Sequence, residues 1–318
     1  MEKRELGKSG VWVTPVGLGT NAVGGHNIYN YMTDDAGREI LRTALENGVD
    51  FLDTAYYYGL GRSEELIGEI VKTYGKRNEV VIATKGAHRM LEDQLVMDNS
   101  VDFIVQSVYD SLERLQTDYI DVFYVHYPDK ETPKYEVTGA LRALKDKGVI
   151  RAIGVSNFTM EQLEEANRDG NVDVIQNEYN LFRRQAETDF IPYALSHDIA
   201  FIPYYPLALG LLTGKFNRDS TFMDARSKHP LYKGKEFLSN LDRVERIRHL
   251  AKAKGIEMTN LVLAWYLRQE GVSAVIPGAK HGKQVICNMN SLEVELTDAE
   301  AKEIGEIFRA HEMSTLRL

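Results

Sequence analysis

Short apolar runs alternate with longer helical patterns along almost the whole 318-residue chain. Eight runs have the length and composition of strands: Val16–Thr20, Phe51–Ala55, Val80–Lys85, Ile120–His126, Ala152–Ser156, Val174–Tyr179, Ala200–Tyr205 and Ala274–Pro277. Several are continuously apolar, which is typical of parallel strands covered on both faces. Most are separated by about 30 residues, the length of one strand–helix–strand unit. Eight such units predict an α/β fold, a closed (β/α)8 TIM barrel. An open doubly wound sheet is the alternative, because periodicity alone does not show closure.

Residues outside these units predict a hairpin and extra helices. A Lys8-Ser9-Gly10 turn divides Glu5–Thr14 into two strand-like pieces, which predicts an N-terminal β-hairpin. The polar stretch Phe216–Glu236 is expected to form a mobile surface loop. Helical patterns follow near the C-terminus at Leu241–Lys254, Thr259–Gln269 and Thr297–Ala310. No linker composition divides the chain, so a single domain is predicted over residues 1–318.

Charge and cysteine content argue against several classes of protein. There are 38 lysines and arginines against 47 aspartates and glutamates, a formal net charge of -9. Nucleic acid or an anionic membrane is therefore not expected as the main partner. Cys287 is the only cysteine, which excludes an intramolecular disulfide, and the scattered histidines form no metal-binding motif. No apolar stretch is long enough to span a membrane and no signal-like segment begins the chain, so a cytoplasmic protein is expected.

Four residues with polar, reactive side chains fall at the carboxyl ends of successive predicted strands. Asp53 ends the second strand, Tyr58 follows it, Lys85 ends the third and His126 ends the fourth. Chemistry in (β/α)8 barrels takes place at this rim. Any one of these residues alone is more typical of a structural ion pair or a satisfied histidine. Four together on one rim favour a catalytic group, since unpaired buried charge is costly.

These residues lie in motifs that resemble those of the aldo-keto reductases, particularly the bacterial short-loop members. The motifs are, in chain order, Asp53-Thr54-Ala55-Tyr56-Tyr57-Tyr58-Gly59, Ala83-Thr84-Lys85, His126-Tyr127-Pro128-Asp129, Gly154-Val155-Ser156-Asn157, Gln176-Asn177-Glu178-Tyr179-Asn180, Tyr204-Tyr205-Pro206-Leu207, Gly210-Leu211-Leu212-Thr213-Gly214-Lys215 and Ile276-Pro277-Gly278. Their order along nearly the whole chain is far more specific than any one of them. The resemblance implies reduction of a small-molecule carbonyl substrate by hydride from a nicotinamide cofactor.

The resemblance also implies a role for each of the four rim residues. Tyr58 would be the general acid that protonates the new alkoxide, and His126 would orient the carbonyl. Lys85, held by Asp53, would tune Tyr58, because a nearby ammonium favours the phenolate and lowers a tyrosine pKa from about 10. Only the family spacing selects Tyr58 from three consecutive tyrosines. The other two are expected to pack or to line the pocket.

A second set of residues matches the positions that bind the cofactor in the family: Gly19, Thr20, Asn21, Asp53, Ser156, Asn157, Gln176, Tyr204, Pro206, Leu207, Gly210, Leu212, Gly214, Lys215, Gly278, Lys280, Gln284 and Asn288. The resemblance implies that Ser156, Asn157 and Gln176 bind the nicotinamide carboxamide and that Tyr204 stacks on its ring. Residues 207–215 would follow the pyrophosphate, where glycine permits close approach and lysine supplies charge.

The first predicted strand ends in a glycine pattern that has other interpretations. Gly17-Leu18-Gly19-Thr20-Asn21-Ala22 formally satisfies the Rossmann fingerprint. A helix should follow that fingerprint at once, whereas residues 23–32 read as a loop rich in Gly, Asn and Tyr, so a Rossmann turn is disfavoured. The glycines are equally consistent with an ordinary tight turn.

The adenine end of the expected cofactor site departs from the family pattern. Lys280, with His281 and Lys283 nearby, provides cations for a 2′-phosphate and favours NADPH over NADH. Gln284 stands where many members have arginine, and it lacks an arginine's bidentate grip on phosphate. Cys287 stands where many members have glutamate. NADPH is therefore the expected cofactor, although two of its usual contacts are changed.

Two rival functions and the substrate remain open at this level. Lys85 could form a Schiff base in a barrel lyase or aldolase, or the chain could be a non-catalytic cofactor sensor. The combination of Asp53, Tyr58, Lys85 and His126 disfavours both. Tyr29 and Tyr31 suggest an apolar pocket wall for aldehydes, ketones or quinone-like carbonyls, and they are equally consistent with loop packing.

Overall fold

Seven parallel strands form the wall of a barrel, and an extended segment at residues 272–278 fills the eighth position. The computed structural model describes residues 2–315, and the side chains of residues 2–309. Its strands are β1 (Arg4–Glu5), β2 (Trp12–Val13), β3 (Leu18–Gly19), β4 (Phe51–Asp53), β5 (Val81–Gly86), β6 (His88–Leu91), β7 (Gln94–Met97), β8 (Ile120–Val125), β9 (Ile150–Ser156), β10 (Val174–Glu178) and β11 (Ala200–Tyr204). The wall has the order β3-β4-β5-β8-β9-β10-β11.

The segment 272–278 closes the barrel by bridging both edge strands. Three parallel bridges do this: Val16 with Val275, Gly19 with Gly278, and Phe201 with Val272. On one edge Gly17 N donates to Val275 O over 2.8 Å, and on the other Ser273 N donates to Phe201 O over 3.0 Å. The predicted (β/α)8 barrel is confirmed, and the open sheet is excluded.

Helices cover the outside of this wall. Those of the described residues are α1 (Asp34–Glu46), α2 (Arg62–Tyr74), α3 (Val101–Leu115), α4 (Lys134–Asp146), α5 (Met160–Ala166), α6 (Phe190–Ser196), α7 (Gly234–Lys254), α8 (Met258–Leu267), α9 (Gly282–Met289) and α10 (Asp298–Thr315). The extra C-terminal helices expected from the sequence correspond to α7, α8 and α10. Met1 and residues 316–318, which the single-domain prediction includes, lie outside the described residues.

Alternate residues of each strand point into the barrel, and their character changes from apolar to polar along the strand. One buried cluster contains the apolar interior positions Phe51, Ala83, Val122, Tyr124, Ala152, Val174, Ala200, Ile202, Ala274 and Ile276. Because side chains alternate with a period of two, the next interior residues lie two positions further on. These are Asp53, Lys85, His126, Gln176 and Tyr204, together with Ser156, which follows Ala152 and Gly154 on the same face of its strand. The strand pattern therefore directs six polar side chains into the carboxyl end of the barrel.

The N-terminal hairpin seals the opposite end of the barrel. Strands β1 and β2 pair antiparallel, as predicted from the Lys8-Ser9-Gly10 turn. Leu6, Val11 and Val13 belong to the same buried cluster as the barrel interior. The hairpin therefore extends the apolar floor beneath the polar rim.

The stretch Phe216–Glu236 is more structured than the predicted surface loop. It contains short 3-10 turns at Ala225–Lys228 and Pro230–Tyr232, and α7 begins inside it at Gly234. Its aromatic side chains pack on one another and on Phe237, with ring centroids 4.7 to 6.0 Å apart; they are Phe216, Phe222 and Tyr232. The segment is otherwise irregular, as expected of a loop, and a few aromatic contacts organise part of it although its overall composition is polar.

We predict that Gly154→Ala destabilises the barrel by about 3 kcal/mol or more. A Cβ at Gly154 would lie 2.2 Å from Cδ1 of the buried Tyr124 ring. Gly139→Ala in α4 is the matched control, since a Cβ there meets nothing within 4 Å and alanine is the better helix former. Urea unfolding of the two variants should give opposite signs, and equal stabilities would contradict this account of the barrel core.

Candidate active site

A buried ion pair forms the floor of the polar rim. Lys85 Nζ lies 2.5 Å from Asp53 Oδ1 and donates a second hydrogen bond to Thr54 O over 2.7 Å. The other carboxylate oxygen of Asp53 accepts from Gln176 Nε2 over 2.8 Å. Both charged side chains are almost fully buried, at 1% and 0% exposure. Burial lowers the pKa of Lys85, and the charge of Asp53 opposes that shift.

The structure separates the three consecutive tyrosines that the sequence could not distinguish. Tyr56 faces outwards, with the Arg114 guanidinium 5.0 Å from its ring centroid. Tyr57 packs on His88 with ring centroids 4.7 Å apart. Of the three, Tyr58 is the one whose ring lies beside Lys85 Nζ, at 5.6 Å. The tyrosine that the family spacing indicates is thus the one of the three whose ring lies beside the Lys85 ammonium.

The loop that carries these tyrosines is clamped by the first barrel loop. Asn27 Nδ2 donates to Tyr57 O over 2.9 Å, and Asn27 Oδ1 accepts from Gly59 N over 2.8 Å, so the two bonds bracket Tyr58. Gly59 has a φ of +67° and would place a Cβ 1.9 Å from Gly24 O. The glycine of the motif is thus required by a close approach of two loops. Asn27 is a positioning residue that the sequence pattern did not reveal.

The pKa of Tyr58 is shifted in the direction opposite to the one expected. Burial raises it well above 10, and the negative charge of Asp53 raises it further. The net lowering expected from Lys85 is not seen, because desolvation of the buried phenolate dominates the shift. Tyr58 is consequently a neutral phenol throughout the physiological pH range, which is the form able to donate a proton.

His126 lies across the site from Tyr58, with ring centroids 6.3 Å apart and nearly perpendicular planes. Burial lowers its pKa well below 6.5, and the positive charge of Lys85 and the neighbouring His88 lower it further. Its imidazole is therefore neutral at neutral pH. Its backbone carbonyl accepts from Asn157 Nδ2 over 2.9 Å, which ties the end of β8 to the end of β9.

The residues expected at the nicotinamide are gathered around Asn157. Its Nδ2 donates to Ser156 Oγ over 3.0 Å, and its Oδ1 accepts from the Tyr204 hydroxyl over 2.9 Å. A φ of +62° at Asn157 turns the chain at the end of β9. Gln176 is adjacent on the rim, where it donates to Asp53. These four residues are brought together, although in this structure much of their hydrogen bonding is to one another.

The first loop contributes backbone rather than side chains at the barrel closure. Gly19 bridges Gly278, and a Cβ on Gly19 would lie 2.7 Å from Ile276 O. Thr20 is fully buried, and its hydroxyl donates to Asp53 O over 2.9 Å. The backbone of Thr20 is also engaged, since its N–H donates to Asp53 O over 2.9 Å and its carbonyl accepts from Val23 N over 2.8 Å. Asn21 lies against Tyr29, to which it hydrogen-bonds.

The segment after β11 adopts an unusual run of left-handed backbone conformations. Positive φ angles occur at Tyr205 (+54°), Ala208 (+46°), Leu209 (+56°), Gly210 (+95°) and Gly214 (+70°). Such conformations cost about 1–3 kcal/mol each at non-glycine residues and cluster at functional sites. The predicted contacts Pro206, Leu207 and Leu212 lie in this segment, and Pro206 O accepts from the Tyr266 hydroxyl over 2.8 Å.

Three cations from separate loops converge next to that segment. Burial lowers the pKa of Lys215, and the positive charges of Arg226 and Lys280 lower it further. Arg226 is paired with Asp224 in the Phe216–Glu236 stretch. Lys280 donates to the Tyr31 hydroxyl, and its Nζ lies 4.5 Å from the Tyr29 ring centroid. An anionic ligand would relieve the repulsion among these cations, so the residues present fit the phosphates of a dinucleotide.

Side chains of helix α9 that were expected to contact the cofactor are hydrogen-bonded to a neighbouring turn of the protein. Gln284 Oε1 accepts from Lys280 N over 2.8 Å, and Asn288 Nδ2 donates to Gly278 O over 3.5 Å. The carboxylate of Glu39 accepts from Gly282 N at the start of the helix. Gln284 and Asn288 therefore shape the Gly278–Lys280 turn in this structure, and direct contact with an adenosine remains a prediction.

Comparison with known proteins decides the family. A sequence model of the aldo/keto reductase family matches residues 15–309. The chain belongs to the aldo-keto reductase family.

Relatives of this aldo-keto reductase align along almost its full length. It is 37% identical to the aldo-keto reductase YhdN of Bacillus subtilis, over 96% of this chain and 93% of the relative. It is 32% identical to the NADH-specific methylglyoxal reductase of Escherichia coli, over 98% of this chain and 100% of the relative. The solved glycerol dehydrogenase AKR11B4 of Gluconobacter oxydans superposes with a TM-score of 0.89 at 33% identity, covering 97% of this chain and 95% of that one.

Family membership makes this aldo-keto reductase an oxidoreductase that uses a nicotinamide cofactor on small-molecule carbonyl substrates. Within the described residues, no helix is long and apolar enough to cross a membrane. Among the described residues, no group of three or more His, Cys, Asp and Glu side chains is placed so that it could hold a metal ion.

His88, the first residue of β6, also lies beside the site, and no sequence motif indicates it. The β6–β7 hairpin follows β5 without a recognisable turn signature in its sequence, although His88 and Met97 pair directly. The His88 ring lies 5.0 Å from that of His126, and burial lowers its pKa to about 4. The histidine count alone gave no indication of this proximity.

We predict that the buried neutral histidines make the enzyme sensitive to acid. The folded pKa of His88 is depressed, so the unfolded state binds more protons below pH 6.5, and stability falls as the pH drops from about 6.5 towards 4. At pH 4.5 His88 alone should contribute a loss of about 2–3 kcal/mol. Urea unfolding at pH 7 and pH 4.5 should show that His88→Phe loses less stability on acidification than the parent. An unchanged acid slope would contradict the depressed pKa.

Proposed function

We propose that this enzyme reduces aldehyde or ketone carbonyls to alcohols with NADPH as the hydride source. The observation that carries the proposal is the arrangement of Tyr58 beside the buried Asp53–Lys85 pair and opposite His126. When bound, the cofactor would supply the hydride that adds to the carbonyl carbon. The side chains on the rim would then manage the charge that develops on the carbonyl oxygen.

Tyr58 is assigned the role of general acid. Its raised pKa keeps the phenol protonated, so a proton is available at neutral pH for the alkoxide oxygen. Donation leaves a phenolate, and the fixed positive charge of Lys85 stabilises that product more than the neutral starting phenol. Asp53 holds Lys85 in place through the 2.5 Å contact. Lys85 would therefore ease proton donation by offsetting part of the cost of forming a buried phenolate.

His126 is assigned to orienting the carbonyl. A neutral imidazole can donate one N–H to the carbonyl oxygen without itself protonating the substrate. The depressed pKa of His126 supports this form. Tyr58 and His126 face the same space from two sides, so together they would fix the oxygen between two donors.

The choice of NADPH rests on the three converging cations. Lys215, Arg226 and Lys280 interact electrostatically although Arg226 is paired with Asp224, and Lys280 lies on the turn expected near the adenosine, where a cation would meet a 2′-phosphate. Family membership leaves the choice open, since the Escherichia coli relative is named NADH-specific. Ser156, Asn157, Gln176 and Tyr204 would bind the nicotinamide, and their grouping around Asn157 supports that assignment.

We predict that Tyr58→Phe lowers kcat for a generic aldehyde by about 100-fold or more, because general acid catalysis supplies a factor of that order. Cofactor binding, followed by NADPH fluorescence, should be retained. Tyr57→Phe is the matched control and should keep most of the activity. Comparable turnover in Tyr58→Phe and the parent would refute the assignment of the acid.

Lys85→Met should be similarly damaging, and preserved turnover would remove lysine from the mechanism. Two measurements on the parent enzyme address the rival functions. If borohydride traps substrate on Lys85, the Schiff-base alternative is favoured. If the parent binds NADPH but turns over no aldehyde, the chain is a cofactor sensor rather than a reductase.

We predict that the parent binds NADPH more tightly than NADH, and that Lys280→Met narrows the difference about tenfold by removing one charge-assisted contact with the 2′-phosphate. Affinities of both cofactors are measured by fluorescence titration under one set of conditions. Lys147→Met is the control, because Lys147 is an exposed residue at the C-terminal end of α4. Tighter NADH binding by the parent would overturn the proposed preference.

A further inference from the structure

Tyr31, in the first barrel loop, contacts the lysine on the turn expected near the adenosine. The Tyr31 hydroxyl accepts a hydrogen bond from Lys280 Nζ. The same ammonium lies 4.9 Å from the centroid of the Tyr31 ring and 4.5 Å from that of the Tyr29 ring. The contact therefore joins the loop after β3 to the turn that precedes α9, and it places a phenol directly beside the cation assigned to the 2′-phosphate.

Both partners in this contact keep hydrogen-bond donors that the protein does not use. A lysine ammonium has three N–H groups, and a phenol has one O–H. Lys280 gives one N–H to Tyr31, and its Nζ otherwise faces two aromatic rings. The Tyr31 oxygen accepts in that bond, and no described residue accepts its own proton. Because Tyr31 is 59% exposed, an anion from solvent has access to this pair of donors.

The loop that carries Tyr31 is held in place by its own hydrogen bonds. Tyr29 N donates to Gly25 O over 2.8 Å, and Met32 N donates to Tyr29 O over 3.0 Å. The His26 ring is bonded to Met32 O over 3.0 Å. The residues on both sides of Tyr31 are therefore fixed, which reduces the entropy that is lost when a ligand binds there.

The groups around Lys280 leave its charge available and supply few other donors. Arg226 is already paired with Asp224. Gln284, which stands where many family members have arginine, is uncharged, and its side-chain oxygen accepts from Lys280 N over 2.8 Å. Within the described part of the chain, the Lys280 ammonium forms no ion pair, and its hydrogen bond is to Tyr31. An anion held by Lys280 would therefore have the Tyr31 hydroxyl as its neighbour.

We propose that Tyr31 determines cofactor specificity, because its hydroxyl donates a hydrogen bond to the 2′-phosphate that Lys280 binds. The inference rests on the proposed use of NADPH. A phosphate in front of Lys280 Nζ is within reach of the phenol, since the two side chains are already in hydrogen-bond contact. An O–H donated to phosphate forms a charge-assisted hydrogen bond. NADH has no 2′-phosphate and would gain nothing from this hydroxyl.

The test measures the dissociation constants of NADPH and NADH by fluorescence titration, without a carbonyl substrate. Tyr31→Phe removes the hydroxyl and keeps the ring. It should weaken NADPH binding about fivefold and leave NADH binding unchanged, because one hydrogen bond to the 2′-phosphate is lost. Tyr31→Leu also removes the aromatic face and should lose at least as much. Tyr109→Phe is the matched control, since Tyr109 is an exposed tyrosine on α3, and it should keep the parent ratio.

Three results with Tyr31→Phe would overturn the inference. Equal weakening of both cofactors would mean that the hydroxyl serves a group they share, such as the pyrophosphate. Unchanged NADPH binding would mean that the hydroxyl meets no phosphate, and tighter binding would mean that it competes for Lys280. A parent that favours NADPH leaves the proposed function standing in all three cases. If the parent favours NADH, or if Lys280→Met leaves the ratio unchanged, the proposed cofactor preference itself fails, and the inference fails with it.

Discussion

The buried contact between Asp53 and Lys85 is the interaction on which the active site depends. Two charges at 1% and 0% exposure are tolerable only as a pair, because removing either leaves an uncompensated charge in the barrel. Thr54 O and Gln176 complete their hydrogen bonding. The pair also fixes the electrostatics above it. The negative charge of Asp53 adds to the burial that raises the pKa of Tyr58.

The layer beneath the pair makes this arrangement possible. Tyr124 is fully buried under the rim, with its ring centroid 5.4 Å from Lys85 Nζ. Gly154 on the adjacent strand leaves the space that this ring occupies. One bulky residue and one glycine at matching heights therefore support the ion pair from below. The N-terminal hairpin closes the far end of the same apolar core.

Features that depend on local sequence could be predicted, whereas features that depend on contacts between residues far apart in the chain could not. The barrel, its hairpin and the placement of Asp53, Lys85 and His126 follow from strand spacing and a period of two, which are local properties. The selection of Tyr58 needed the family pattern, because Tyr56 and Tyr57 have the same chemistry and adjacent positions. The raised pKa of Tyr58 was not predicted, since it depends on burial by residues remote in sequence, and the aromatic contacts within Phe216–Glu236 were not predicted because they depend on how the loop packs. His88 and Asn27 were missed because loop-to-loop contacts leave no periodic signal.

The sequence by itself determined the architecture and the chemical identity of the rim, since alternation along each strand directs particular side chains inwards. Tertiary structure alone decided which polar groups are already satisfied and which are free. Gln176, Thr20 and Lys85 are engaged with their neighbours, whereas Nδ1 of His88 lacks a partner among the described residues. Burial and pairing are properties of the assembled barrel, so protonation states and unused hydrogen-bonding capacity emerge only when remote strands and loops meet.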